Sequence, residues 1–210
     1  MTLSIVIPSY NARELLRRAL SVNLGIEAST GDYVLLLNSD LFLTQEALVS
    51  MIERLSANPQ VGAVAPSLHN EDGSRQLSFG LFGGLYWPNW LAVKKPSSVP
   101  LVSFACVMTR RDVLTRLGAL DENFFLYNEE YDWCLRARQA GFDIEILPAP
   151  VVHVGAGSTS PSPQLVLEEQ RGFLYFASKH TSPFIANWLR RVMRGQGFVL
   201  KHLDPRTQAS

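Results

Sequence analysis

The sequence predicts an α/β layered domain around a mainly parallel sheet. Short, largely apolar runs recur at Leu3–Pro8, Tyr33–Leu37, Val61–Ala65 and Leu101–Met108. Runs of that length, rich in β-branched and aliphatic residues, suit strands covered on both faces. Segments of helical periodicity separate them. The runs stop at polar clusters, Ser9-Tyr10-Asn11 and Asn38-Ser39-Asp40, and ligands bind at the carboxyl ends of strands in such sheets.

The elements follow in order. Asn11 is a suitable N-cap for a helix running to Leu20, and Asn23–Ser29 has a short helical pattern broken by Thr30-Gly31-Asp32. After the Tyr33–Leu37 strand, Thr44 caps a helix that carries Ala47, Leu48, Met51, Ile52 and Leu55 on one face, and Pro59 ends it. Val61–Ala65 is a strand, and Asn70-Glu71-Asp72-Gly73 has hairpin-turn chemistry. The stretch holding Phe79, Phe82, Tyr86, Trp87 and Trp90 has no clear period; acceptor binding and core or loop packing both suit it. Leu101–Met108 reads as one strand, after which Thr109 caps a short helix that Gly118 closes. A helix opens at Glu129-Glu130-Tyr131-Asp132 and ends before Gly141. Asp143–Leu147 and Val151–Val154 read as two short strands, and a last domain helix runs from about Gln164 to Lys179.

With 210 residues, 47% of them hydrophobic, the chain can fill one such core and carry a short tail. Nineteen Lys and Arg balance nineteen Asp and Glu, so no basic face for nucleic acid is expected. Cys106 and Cys134 both lie in apolar segments, as buried reduced thiols do, which suits a cytoplasmic address. The chain enters a strand almost at once, so no secretory leader is expected, and no apolar run reaches the ~18 residues of a membrane span.

Several polar residues have two readings. Asn38, Ser39 and Asp40 are turn formers, yet oxygen donors after a buried strand also suit a hard cation. His153 lies among valines like a core histidine, but it precedes Gly155-Ala156-Gly157-Ser158-Thr159, whose amides and hydroxyls suit phosphate oxygens. Glu129, Glu130 and Asp132 complement a helix dipole. The apolar Phe124-Phe125-Leu126-Tyr127 beside them would raise a carboxyl pKa towards that of a general base.

Four segments, in this order, resemble glycosyltransferase family 2 in its rhamnosyltransferase-like branch. They are Leu3–Asn11, Asn23–Asp40, Arg110–Gly141 and His153–Thr159. The resemblance implies a GT-A (nucleotide-diphospho-sugar transferase) fold over residues 1–180, with helices on both faces of the sheet. It also implies an inverting hexosyl- or rhamnosyltransferase that moves a sugar from a UDP- or dTDP-sugar to a hydroxyl on a glycan or lipid-linked acceptor, in cell-envelope polysaccharide or glycan synthesis. Pro8, Ser9, Tyr10, Asn11, Asn38, Ser39 and Asp40 would contact the nucleotide-sugar. Asp40, Asn38 and His153 would hold Mg²⁺ or Mn²⁺, with Asn38 where the family's Asp-x-Asp has its first Asp. Glu130 matches the catalytic base and Glu129 precedes it in the same motif. Asp121, Glu122 and Asp132 would lie on the acceptor side.

One departure stands out. The family has a further strand and helix before the Asn23-Leu24-Gly25 segment, ending in an Asp that contacts the base. Here Leu20-Ser21-Val22 runs straight on, and no Asp precedes Asp32. A strand–helix unit of roughly 30 residues is thus absent, which would leave the first strand at an exposed sheet edge. An alternative function follows: a non-catalytic GT-A-like binding or scaffold protein. In the tail, residues 181–210, a helical face carries Ile185, Trp188, Leu189, Val192 and Met193, with Arg190, Arg191 and Arg194 elsewhere on the wheel. Packing on the domain explains it, as does peripheral contact of residues 182–194 with the inner face of the membrane.

Overall fold

The computed structural model describes residues 1–8, 18–76, 79–81, 85–86, 96–124, 127–154 and 163–203. Its main sheet is assembled from β1 (Leu3–Val6), β2 (Tyr33–Leu37), β3 (Leu41–Phe42), β4 (Val61–His69), β7 (Ser97–Ser98), β9 (Cys106–Arg110) and β10 (Asp143–His153). The order is β1-β2-β9-β4-β10-β3, with β7 also on β10. Leu3 pairs with Tyr33 and Val6 with Leu36 in parallel, and β4 and β10 are parallel as well. Strand β9 runs antiparallel to both β2 and β4. The four principal strands β1, β2, β4 and β10 therefore share one direction, as expected. Among the described residues direct parallel pairing is limited to two ladders, so the sheet is mixed where the sequence suggested a mainly parallel one. β5 (Phe79–Leu81), β6 (Leu85–Tyr86) and β8 (Leu101–Val102) form a second small sheet in the order β6-β5-β8.

Helices cover both faces of the main sheet. Alternation along β2 sends Val34 and Leu36 into one apolar cluster and Tyr33 and Leu35 into the other. The first cluster holds Val22 and Ile26 of α1 (Arg18–Ala28), Val113 and Leu114 of α3 (Arg111–Leu117), Trp133 and Ala137 of α4 (Glu129–Gln139) and Phe176 of α5 (Pro163–His180). The second holds Ala47, Met51 and Leu55 of α2 (Gln45–Ala57), the i, i+4, i+8 face expected from the sequence. Thr44 caps α2 as expected, its Oγ1 accepting from Ala47 N at 3.1 Å. A bidentate pair, Arg54 Nε to Glu145 Oε2 at 2.6 Å and Nη2 to Oε1 at 2.8 Å, fastens α2 to β10.

Some boundaries differ from those the sequence suggested. The helix expected to end near Leu20 and the short helical pattern expected from Asn23 are one helix, α1. Leu20 and Asn23 thus lie within a single helix between parallel β1 and β2. Gly25 allows that helix to lie against β1, for a Cβ there would stand 2.3 Å from Val6 Cγ1. Strand β1 ends the sheet, as expected, with Ile5 and Ile7 exposed.

The expected Leu101–Met108 strand is two, split by a turn in which Ser103 Oγ accepts from Ala105 N. Thr109 does not cap α3. It belongs to β9, is buried, and donates from Oγ1 to Gly62 O at 2.7 Å; Arg110 is the N-cap and makes no side-chain capping bond. The two strands expected at Asp143–Leu147 and Val151–Val154 are one, with its register shifted between Leu147 and Pro150 where prolines interrupt it. The hairpin turn holds, with Gly73 N donating to Asn70 O at 3.0 Å and His69 bridging Arg75. Cys106 and Cys134 are free and buried, and burial pushes each thiol up to about 12, so both are inert packing groups. Helix α6 (Pro183–Leu203) follows α5 after Thr181-Ser182.

Candidate active site

Topology brings Asp40 to His153. The two-residue strand β3 pairs antiparallel with the end of β10, Leu41 opposite His153 and Phe42 opposite Val152. Val154 N extends the ladder by donating to Asp40 O at 2.9 Å. A turn at the carboxyl end of β2 is thereby stitched to the carboxyl end of β10. His153 Nε2 stands 3.3 Å from Asp40 Oδ1, in a geometry that makes no hydrogen bond, and is buried without a hydrogen-bond partner. The carboxylate of Asp40 remains 39% exposed. Asn38 and Ser39 belong to the same turn, where Asn38 N donates to Ala105 O at 2.8 Å.

This pair fits a divalent ion. An orphaned imidazole nitrogen beside an accessible carboxylate is a two-ligand start to a coordination shell. Among the described residues no group of three or more His, Cys, Asp or Glu side chains forms a ready-made cage. Mg²⁺ and Mn²⁺ suit such an incomplete set, because Mg²⁺ in phosphoryl sites takes one or two protein ligands and completes its shell with phosphate oxygens and water.

The acidic motif opens α4. Two successive residues before it, Tyr127 (φ 64°) and Asn128 (φ 69°), lie in the left-handed region, a strain of about 1–3 kcal/mol each. Helix α5 holds this turn. Asn128 Nδ2 donates to Glu169 O at 3.1 Å, and a Cβ on Gly172 would come within 2.8 Å of that nitrogen and 3.1 Å of Tyr127 O. The glycine is what lets the helix seat on the strained turn. Beyond it Glu129 is buried and Glu130 half-buried.

Asp132 and Asp121 meet α5 in a charged cluster. Asp132 is fully buried and receives Arg136 Nε at 2.8 Å and Lys179 Nζ and His180 Nε2 at 2.7 Å each. Asp121 receives Lys179 Nζ at 2.7 Å and Tyr175 Oη at 3.0 Å. Burial would raise both carboxyls, but Lys179, with His180 and Arg136 at Asp132 and with Asn123 and Tyr175 at Asp121, holds them below the ordinary range. Asp132 is engaged on both oxygens, the situation of a fastening between α4 and α5. Glu122 is exposed and accepts from Asn23 Nδ2 at 3.0 Å, while Asn23 also clasps both backbone groups of Leu120.

Of the remaining sequence candidates, Pro8 is half-buried just beyond β1. Ser9, Tyr10, Asn11 and the Gly155–Thr159 loop lie outside the described residues, as do Phe82, Trp87 and Trp90 of the aromatic stretch. Sequence reading missed Gln76, whose Oε1 is 2.8 Å from His153 Nδ1, and the Lys179-His180 pair. A lone glutamine after a turn gives no sequence signal. The basic pair at the end of α5 looks like ordinary dipole complementation. The arginines of the third segment prove structural: Arg110 Nη1 donates to Val61 O at 2.8 Å, and Arg111 Nη1 to Ile26 O at 3.2 Å near the end of α1.

The likeness to known proteins extends over most of the chain. Residues 19–118 match the family described as glycosyl transferase family 2, a span from the start of α1 to the glycine after α3. The N-acetylglucosaminyl-diphospho-decaprenol L-rhamnosyltransferase of Mycobacterium tuberculosis is 27% identical over 199 residues, taking in 84% of this chain. The chain spans 64% of the length of that relative. Among solved structures, GalNAc-T7 with UDP, GalNAc and Mn²⁺ superposes with a TM-score of 0.56 at 16% identity, over 81% of this chain and 39% of the other. TarS of S. aureus, residues 1–349, superposes with a TM-score of 0.55 at 13% identity, over 83% and 65% respectively. A GT-A-like α/β fold thus lies beneath the match of residues 19–118 to glycosyl transferase family 2.

Proposed function

We propose that the protein transfers a hexosyl or rhamnosyl group from a UDP- or dTDP-sugar to a hydroxyl of a glycan or lipid-linked acceptor, with inversion, in cell-envelope polysaccharide or glycan synthesis. The observation that carries this reading is the Asp40–His153 pair with its orphaned nitrogen. A decaprenol-linked acceptor in the name of the mycobacterial relative and the UDP and Mn²⁺ bound by GalNAc-T7 support it. A bound Mg²⁺ or Mn²⁺ neutralises charge on the leaving diphosphate. Asp40 and His153 would hold it, with Asn38 and Ser39 in the same turn and Pro8 to Asn11 along the nucleotide. Glu130 would take the proton of the acceptor hydroxyl as that oxygen attacks the anomeric carbon from the face opposite the diphosphate. Glu129 would support it, and Asp121 and Glu122 would shape the acceptor side.

Calorimetric titration of the protein with UDP and with dTDP, each with and without Mn²⁺, tests the donor site. Metal-dependent binding of one nucleotide is the expected result, weakened at least about tenfold in Asp40→Asn. A folded protein that binds neither nucleotide would replace this reading with the non-catalytic scaffold. The edge position of β1, where the family has a further strand, is the observation that favours that alternative.

The tail extends the proposal to a membrane-borne acceptor. No helix among the described residues is long and apolar enough to cross a membrane. On α6, however, Phe184, Ile185, Trp188 and Val192 are exposed beside exposed Arg190 and Arg191, while Ala186 is buried. Packing on the domain therefore accounts for only part of that helix. An apolar face flanked by arginines suits the surface of an anionic bilayer. The protein should co-float with vesicles containing phosphatidylglycerol, and Trp188→Glu should abolish this; failure of the unaltered protein to float would discard the contact.

A further inference from the structure

We infer that Gln76 is a positioning residue that locks His153 in the tautomer able to bind a metal. The inference rests on the donor-site reading above. Gln76 is anchored by its backbone, its N–H donating to Leu68 O of β4 at 2.9 Å. Strand β4 lies beside β10 with His69 opposite Val152, so the turn after β4 delivers Gln76 to the side of His153.

Its amide orientation is fixed by its partners. One end faces Asn70 Oδ1 at 2.6 Å and the backbone carbonyl oxygen of His153. A main-chain carbonyl only accepts, so that end is the NH₂ group and the other end is the oxygen. Oε1 then lies 2.8 Å from His153 Nδ1 and accepts its proton. With the proton of the neutral ring on Nδ1, Nε2 carries a lone pair, and this is the buried nitrogen facing Asp40. Two electron-pair donors side by side with no proton between them are arranged for a cation. Imidazole in water prefers the opposite tautomer, with Nε2 protonated; that form would turn an N–H towards the ion. The amide of Gln76 thus does for His153 what outer-shell carboxylates and carbonyls do for metal-bound histidines generally.

Two readouts test this on the full chain. In ¹⁵N-histidine spectra taken where the ring is neutral, with His153→Asn assigning the signal, His153 should show a protonated Nδ1 and a bare Nε2. In Gln76→Met the Nε2–H form should take over, and Mn²⁺ affinity in the presence of nucleotide should fall about tenfold or more. Asn70→Ala, which loosens the amide and also releases the bond from Asn70 to Ser74 Oγ, should shift both readouts in the same direction and less, and it serves if the first variant does not fold. A protonated Nε2 in the unaltered protein would overturn the inference, as would a Gln76→Met protein that keeps both tautomer and affinity. A bare Nε2 without any Mn²⁺ binding would support the lock while overturning the metal reading on which it rests.

Discussion

Asp132→Asn should lower the unfolding free energy by about 3 kcal/mol, at the low end of what breaking a buried ion pair costs. The side chain is fully buried and receives Arg136, Lys179 and His180. Substitution leaves its cationic partners without their common anion. The low end applies because Lys179 and Arg136 are 31% and 22% exposed and regain some hydration, and because Lys179 keeps Asp121. Glu168→Gln is the control. It breaks only a surface pair with Arg171, itself 72% exposed, and should cost under about 1 kcal/mol. Denaturant unfolding of both variants distinguishes a fastening from a decorative cluster; equal stabilities would remove Asp132 from the structural role.

The same cluster sets a pH window. Asp132 and Asp121 are held below the ordinary 3.8, so their contribution is complete above that value and is lost as pH falls through their lower folded values. For Lys179, burial is outweighed by Asp121 and Asp132, which hold its pKa above the ordinary 10.5. Its contribution is complete below 10.5 and fades as pH rises past the folded value. The unaltered protein should lose stability below about pH 4, and Asp132→Asn should flatten that acid limb.

The layered fold was legible because β2 and the first half of β4 are unbroken apolar runs and α2 repeats its face every fourth residue. What escaped has particular causes. Strand direction is not written in a five-residue run such as Cys106–Arg110, so the reversal of β9 gave no sign. Thr109 looks like a cap because threonine is common at caps, yet its hydroxyl is taken by Gly62 across the sheet. The Asp40–His153 meeting depends on a two-residue strand that no periodicity can reveal. Residue types nominated both members, and the resemblance joined them. Asp132 was nominated for the acceptor side from its place in the acidic motif, and only packing discloses that α5 supplies three residues, Tyr175, Lys179 and His180, to this cluster.

Glu130→Gln should reduce the transfer rate by about 10²–10⁴, the usual contribution of a general base, while leaving nucleotide affinity nearly unchanged. The two neighbouring glutamates differ in access, which decides between them. Glu129 is only 1% exposed, whereas Glu130 is half-buried. A base must reach an incoming hydroxyl, so this difference favours Glu130 over Glu129 for the proposed base role. The strained Tyr127-Asn128 turn supports this division, since holding two non-glycine residues at positive φ fixes where the first turn of α4 begins. Donor affinity should survive because the proposed phosphate and metal contacts lie at Asp40, in the turn before β3, and at His153, at the end of β10, outside α4. Asp40→Asn should show the opposite pattern, with weakened metal-dependent nucleotide binding. Single-turnover transfer measured beside calorimetric nucleotide binding separates the two. Full turnover by Glu130→Gln would take Glu130 out of the base role. Loss of nucleotide binding in that variant would place Glu130 in the donor site instead, leaving Glu129 to be tested as the base.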